Sequence, residues 1–281
     1  MMKAPVILLA VGLISALAAP AEGQASGGPD TVVVNSGALS LRALLWRPRG
    51  SGPFPGVLFN HGSSGTGESL EPEASAVLGP VFVKHGYVFL FLFRRGVGLS
   101  ADQGTADGDL MARALAAHGE QGRNRVQLQL LSTEELDEAI AGLAFLRGLP
   151  KVDARRVAVA GHSFGGSLTL FLAARDTTLR AAVVFSSSAR SWGLSPELRA
   201  QLLAAVGRMT APVFFIHAAN DYSTAPGKSL AEEMRRLGKP HRLKIYPATG
   251  RTAKEGHGFV YRNVAAWEPD VFAFLDQYLR R

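Results

Sequence analysis

The 281-residue chain contains no cysteine. That single absence removes disulfides, thiolate metal sites and a cysteine nucleophile, and it leaves the redox compartment open. Although the formal net charge is +7, no run of five or more like charges occurs. The densest basic positions are the pairs Arg94-Arg95, Arg155-Arg156, Arg235-Arg236 and Arg280-Arg281. Basic charge scattered in this way describes a solvated surface, so no nucleic-acid partner is expected. Neither H-E-x-x-H nor a carboxylate–histidine cluster at ligand spacing is present, and there is no G-x-x-x-x-G-K-[ST] loop. No metal site and no cofactor are therefore expected. Beyond the N-terminus, no apolar run approaches the roughly 20 residues that a bilayer span requires.

What the N-terminus does contain is informative. Lys3 precedes an uncharged apolar stretch from Ala4 to Leu17. Small residues follow in Ala16-Leu17-Ala18, Ala19-Pro20-Ala21 and Gly23-Gln24-Ala25, each acceptable as a small-x-small cleavage site. This is the pattern of a secretory signal peptide over residues 1–25, and the alternative is an uncleaved N-terminal anchor. Export to the periplasm or the extracellular space is expected. Residues 26–281 are left as one domain without a stable membrane span.

From residue 30 onward, short β-rich runs alternate with helical periods. Thr31–Asn35 and Ser40–Arg47 flank the turn signal Ser36-Gly37 as a hairpin. Strands are then expected at 56–60, 87–93, 157–160, 181–186, 213–217 and 242–246. Helices are expected at 74–85, 133–149, 165–174, 196–206, 227–237 and 269–279, with Gly79-Pro80 kinking or splitting the first of these. Repeated β–α alternation implies a mostly parallel sheet of about eight strands with helices on both faces, an α/β architecture. Residues 99–131 are rich in Gly, Asp and Gln, with one helical segment near Leu110–Ala117, and they read as a small lid insertion.

The chemistry concentrates at Gly161-His162-Ser163-Phe164-Gly165-Gly166, which leaves one strand and opens a helix. A serine forced into a sharp strand-to-helix turn has strained backbone angles and needs neighbours without side chains. The helix N-terminus behind it favours developing negative charge. An unaided serine hydroxyl requires a base, and the base requires an orienting acid. Asp221 follows the strand 213–217, and His257 follows the strand 242–246 inside the glycine-flanked, flexible loop Glu255–Phe259. The order Ser163, Asp221, His257 is that of a nucleophile-elbow hydrolase.

Competitors exist for each role. His162 and His217 are the other candidates for the base, although His162 is better placed to orient backbone and His217 reads as a hydrogen-bonded core residue. Asp176 competes for the acid but ends the helix after Ser163, pointing away from the strand tips. For the oxyanion hole the amide of Phe164 is one donor. The loop His61-Gly62-Ser63-Ser64-Gly65 supplies the other, with Ser63 first choice and Ser64 second. Trp192, Phe164 and Leu110 are candidate apolar walls.

Five segments together resemble the dienelactone hydrolase-like and prolyl oligopeptidase-like branch of the α/β-hydrolase superfamily. They are His61-Gly62-Ser63, Arg95-Gly96-Val97-Gly98-Leu99-Ser100, Gly161–Gly166, Asp221 and Glu255-Gly256-His257-Gly258-Phe259. The resemblance covers roughly residues 40–281 and implies an α/β-hydrolase fold and a cofactor-free Ser–Asp–His acyl hydrolase. Dienelactone hydrolases proper use a cysteine nucleophile, which this chain lacks, and prolyl oligopeptidases carry a propeller for which there is no room. The expectation is a hydrolase acting on a small-molecule carboxylic ester, with a peptidase or amidase using the same triad as the alternative.

Overall fold

The structure, a computed structural model, describes residues 1–2, 28–65 and 70–280. The expected signal peptide lies, apart from its first two residues, outside the described residues. The domain opens with the hairpin β1 (Asp30–Ser36) and β2 (Leu39–Trp46), turned at Gly37 with φ 57°. There follow β3 (Phe54–Asn60), α1 (Leu70–Lys84), β4 (Val88–Leu92), a 3-10 turn (Gly98–Gln103), α2 (Asp107–Ser132) and α3 (Glu134–Arg147). The second half runs β5 (Val152–His162), α4 (Phe164–Arg175), β6 (Ala181–Phe185), α5 (Pro196–Arg208), β7 (Val213–Ala218), α6 (Ala225–Arg236) and β8 (His241–Tyr246). Three helices close the chain: α7 (Ala253–His257), α8 (Phe259–Arg262) and α9 (Val264–Leu279).

The strands form one open eight-stranded sheet in the order β1-β2-β4-β3-β5-β6-β7-β8. Only β1–β2 and β2–β4 are antiparallel; every other pair is parallel. Because side chains alternate along a strand, the sheet feeds two cores. Leu58, Val157, Val159, Val184 and Phe215 face α2–α6, whereas Val57, Phe59, Ala158, Ala160, Val183 and Phe214 face α1 and α9. Both faces are covered, which is why the central strands read as unbroken apolar runs. Each fully buried Phe or Leu contributes on the order of 1.5–3 kcal/mol.

Four expectations are corrected. First, α1 runs unsplit through Pro80, so of the two outcomes expected at Gly79-Pro80, splitting does not occur. The missing proline N–H is offset by burial of Ala74, Leu78, Phe82 and Val83. Gly79 also lets the Trp46 indole cross the helix, since a Cβ there would lie 2.3 Å from the ring. Second, residues 107–132 are one long helical element interrupted at His118-Gly119, not an irregular stretch with one short helix. Its polar residues misled because they are buried and paired: Asn124 donates to the Leu194 carbonyl, and Gln127 accepts from the Ser191 hydroxyl. Third, the segment carrying His257 is helical, held by a capping box between Thr252 and Glu255. Fourth, α9 begins at Val264 and contains Pro269 instead of starting there.

The turn from β5 into α4 is the tightest place in the fold. Ser163 has φ 56° and ψ −116°, a region that strains an L residue. A Cβ on Gly165 would lie 2.1 Å from the carbonyl oxygens of both Asn60 and His61, so the end of β3 passes directly over this glycine. Gly165→Ala is expected to cost about 3 kcal/mol or more, because backbone on both sides would have to separate. Urea unfolding checks this, and an unchanged midpoint would show that the contact is not constraining.

At the far edge of the sheet, Asp270 of α9 accepts from Arg242, Lys244 and the Tyr246 hydroxyl of β8. Partial burial pushes its carboxyl up, but the Lys244 and Tyr246 hydrogen bonds and the charge of Arg242 outweigh it and bring the pKa down to about 2. A pKa depressed in the folded state stabilises above the unfolded value of 3.8 and loses that contribution as pH falls toward about 2. Asp270→Asn should therefore lose less stability than the unmodified protein over this interval. Denaturant midpoints at pH 6, 4 and 2.5 measure it; parallel acid losses would refute the assignment.

Candidate active site

The ends of β3, β5, β7 and β8 converge on one point at the carboxyl edge of the sheet. Ser163 sits on the β5–α4 turn, its amide bonded to the Phe185 carbonyl of β6 at 2.9 Å and its carbonyl receiving the Ser167 amide at 3.2 Å. These bonds hold the strained residue in place and leave its side chain partly exposed. His257 Nε2 lies 2.8 Å from Ser163 Oγ, and His257 Nδ1 lies 2.7 Å from Asp221 Oδ1. Asp221, three residues past the end of β7, has a side chain with no solvent exposure. The three residues expected from the sequence thus form one continuous line of hydrogen bonds. In that line Nδ1 of His257 donates to the carboxylate and Nε2 accepts from the serine hydroxyl.

The carboxylate is more heavily engaged than the sequence suggested. Asp221 Oδ1 also accepts the Tyr222 amide at 2.7 Å, and Oδ2 faces His217 Nδ1 at 2.8 Å. Burial pushes the Asp221 carboxyl up, but the hydrogen bonds from His217 and His257 outweigh it and hold the carboxyl well below the usual range. It is ionised throughout the neutral range, ready to orient an imidazole and to balance an imidazolium. His217 is a buried hydrogen-bonded residue as expected, but its partner is the candidate acid itself.

His162 is held by its own contacts. Its Nε2 donates to the His257 carbonyl at 2.8 Å, and its ring lies 5.2 Å, edge-on, from Tyr261. Burial and the neighbouring His257 bring its pKa down to about 3, so it stays neutral and orients backbone. The loops carrying the acid and the base are tied by Asn220. Its Oδ1 accepts the Thr249 amide and its Nδ2 donates to the carbonyls of Thr249 and Thr252, at 2.9–3.0 Å. Gly256 fits against this tie, since a Cβ there would lie 2.6 Å from the Asn220 carbonyl.

The oxyanion candidates separate clearly. The Phe164 amide opens α4, where the first helical N–H groups have no acceptor within the helix. Loop 61–65 runs beside the serine: a Cβ on Gly62 would lie 3.6 Å from Ser163 Cβ. The Ser64 amide donates to Asp107 Oδ1 at 3.0 Å and is thereby turned to a buried carboxylate, which removes the second-choice donor. Ser63 remains.

Asp176 is elsewhere, paired with Arg147 and Thr178 at the opposite end of α4. Sequence reasoning missed Arg94, which is buried among His61, Gly62, Asp107 and Glu135. Its only signal was a doubled arginine after an apolar strand. It also missed Tyr222, whose ring is 5.0 Å from that of His257 and lies under the Arg190 guanidinium at 4.8 Å. Among the described residues no helix is long and apolar enough to cross a membrane.

Comparison with known proteins bears on the fold and the family. The quorum-quenching protein AidA of Acinetobacter baumannii is 30% identical over 155 residues, which cover 55% of this chain and 42% of that protein. The chain thus matches less than half the length of this curated relative. Among solved structures, the acylaminoacyl peptidase of Pyrococcus horikoshii superposes with a TM-score of 0.66 at 18% identity, over 90% of this chain and 42% of that one. The dienelactone hydrolase of Anabaena variabilis gives 0.60 at 19% identity, over 91% and 99%. The fold is that of the α/β-hydrolases. The model of the dienelactone hydrolase family matches residues 41–278, and the chain belongs to that family.

Proposed function

We propose that the protein is an exported serine hydrolase that cleaves carboxylic esters through an acyl-enzyme on Ser163. The observation that carries this reading is the unbroken line from Ser163 Oγ through His257 to Asp221, at 2.8 and 2.7 Å. Ser163 Oγ attacks the ester carbonyl as His257 Nε2 takes its proton, and Asp221 stabilises the imidazolium. The tetrahedral oxyanion is met by the amides of Phe164 and Ser63. Collapse breaks the carbonyl–alkoxy bond, and His257 gives its proton to the departing alcohol. Water then takes the place of the alcohol and attacks the acyl carbonyl as His257 takes its proton; collapse breaks the acyl–Oγ bond, His257 returns the proton to Ser163 Oγ, and the carboxylic acid is released.

What supports export is the N-terminal pattern of Lys3, the apolar stretch to Leu17 and the small residues before Ala25. Fractionation of cells producing the full chain, with N-terminal sequencing, checks it. A mature chain starting near residue 26 outside the cytoplasm is expected, and retention of Lys3 would exclude cleavage.

Chemistry is tested by labelling with a fluorophosphonate. A single adduct on Ser163 is expected in the folded protein and none in Ser163→Ala. Asp221→Asn should lower kcat by about four orders of magnitude, because an asparagine cannot hold the required imidazole tautomer. Retained turnover would move the acid elsewhere. A panel of linear aryl esters of increasing acyl length, lactones and matched amides defines the substrate. Amide turnover exceeding that of the esters would overturn the ester reading.

A further inference from the structure

We propose that Arg94 is a positioning residue of the oxyanion site: by clamping the Gly62 carbonyl it aims and polarises the Ser63 amide. This rests on the acyl-transfer reading above. A trans peptide unit is planar, so its C=O and N–H point in opposite directions. The Gly62 carbonyl and the Ser63 amide belong to the same unit. Whatever holds the carbonyl on one side therefore directs the N–H to the other.

Two donors hold it. Arg94 Nη2 reaches the Gly62 oxygen at 2.9 Å, and His61 Nδ1 reaches the same oxygen at 2.7 Å. Arg94 Nη1 takes the preceding carbonyl, that of His61, at 2.8 Å, so two successive peptide planes are locked by one guanidinium. The imidazole is fixed too: His61 Nε2 accepts the Arg94 amide at 3.2 Å, which leaves the proton on Nδ1. Burial first, and then the charge of Arg94, keep His61 neutral, as that donor–acceptor pattern requires.

Arg94 itself cannot wander. Its side chain is 1% exposed, with Asp107 Oδ2 at 3.3 Å and Glu135 Oε2 at 2.5 Å from its nitrogens. The Phe164 ring lies 5.2 Å from its guanidinium carbon, and Phe164 carries the other oxyanion amide. One cation thus contacts the Gly62 carbonyl and the ring of the residue that bears the other amide. Asp107 meanwhile takes the Ser64 amide on its other oxygen, so the neighbouring N–H turns away. The two carboxylates compensate the buried charge, and its force is delivered locally, through the peptide bond. A carbonyl loaded by a cation and an imidazole makes its own N–H a stronger donor, and a donor fixed in advance needs no reorganisation during reaction.

Arg94→Lys tests this. It keeps a charge between Asp107 and Glu135, but a single ammonium cannot reproduce the fork that spans two carbonyls. The expected result with an aryl ester is a fall in kcat of about 10–100-fold with KM changed less than threefold. A trifluoromethyl ketone, which forms an oxyanion on Ser163, should lose affinity by the same factor as kcat/KM. A merely structural role would leave those two losses unrelated. Unchanged kcat, or a fall in kcat without weaker ketone binding, overturns the proposal. Should Arg94→Lys fail to fold, His61→Gln decides. It keeps an acceptor for the Arg94 amide but withdraws the second donor from the Gly62 oxygen, and a roughly 3–10-fold loss with the same ketone signature is expected. Unchanged kcat there is equally fatal. If the unmodified protein is not labelled by fluorophosphonate at Ser163, the acyl-transfer reading falls. If it is labelled and turns over while the variants match it, only the role of Arg94 falls.

Discussion

The approach of the β3 end to the β5–α4 turn is the contact on which the rest of the site depends. Gly165 offers no Cβ, and the carbonyls of Asn60 and His61 occupy the space that one would take. That closeness sets Gly62 against Ser163 and brings loop 61–65 within reach of anything bonded to the serine. It also explains why the strain at Ser163 persists. A residue at φ 56° is held only where its surroundings over-determine it, here through the Phe185 carbonyl before it and the Ser167 amide after it.

A second constraint is electrostatic. Asp221 is enclosed, yet its two oxygens receive two imidazoles and one backbone amide, so the charged form is favoured despite burial. With that charge fixed, His257 has a defined tautomer and Nε2 is left to meet the serine. His162, adjacent to both residues, carries no charge in the neutral range and so leaves this balance undisturbed. The site therefore sets a fixed carboxylate behind His257 and a neutral His162 beside it, which suits transient formation of an imidazolium and an oxyanion.

Much of this was legible in the chain. The strand–turn–helix around Ser163 shows itself because the crossing needs glycine at 161 and 165, where a Cβ would meet backbone. Asp221 and His257 show themselves because each follows a strand in the required order. Less legible was anything decided by burial of polar groups. The Gly, Asp and Gln content of residues 99–131 hid the length of α2, whose Asn124 and Gln127 are buried and bonded to segment 191–194. The loop around His257 looked flexible because of its glycines, whereas Gly256 exists to let Asn220 approach and Thr252 with Glu255 caps a helix. Arg94 looked like surface charge, and nothing in a doublet of arginines tells which member turns inward. Arg95 in fact pairs with Glu138 while Arg94 is enclosed.

Arg94 and Asn220, to which the sequence assigned no role, share a property with His162, and it follows from the architecture. In an open α/β sheet the groups of a site arrive from the ends of different strands, here β3, β5, β7 and β8, and no single element holds two of them in register. Precision of a fraction of an ångström must then come from ties between loops. Asn220 ties the acid loop to the base loop, His162 ties the nucleophile turn to the backbone of His257, and Arg94 ties loop 61–65 to α2 and α3. Each tie has a side chain gripping backbone carbonyls or amides, Arg94 being anchored at its other side by the Asp107 and Glu135 carboxylates, so the gripped partner has no residue identity to read. The groups that do chemistry carry sequence motifs because their own side chains react. The groups that align them leave almost none, because what they grip is main chain.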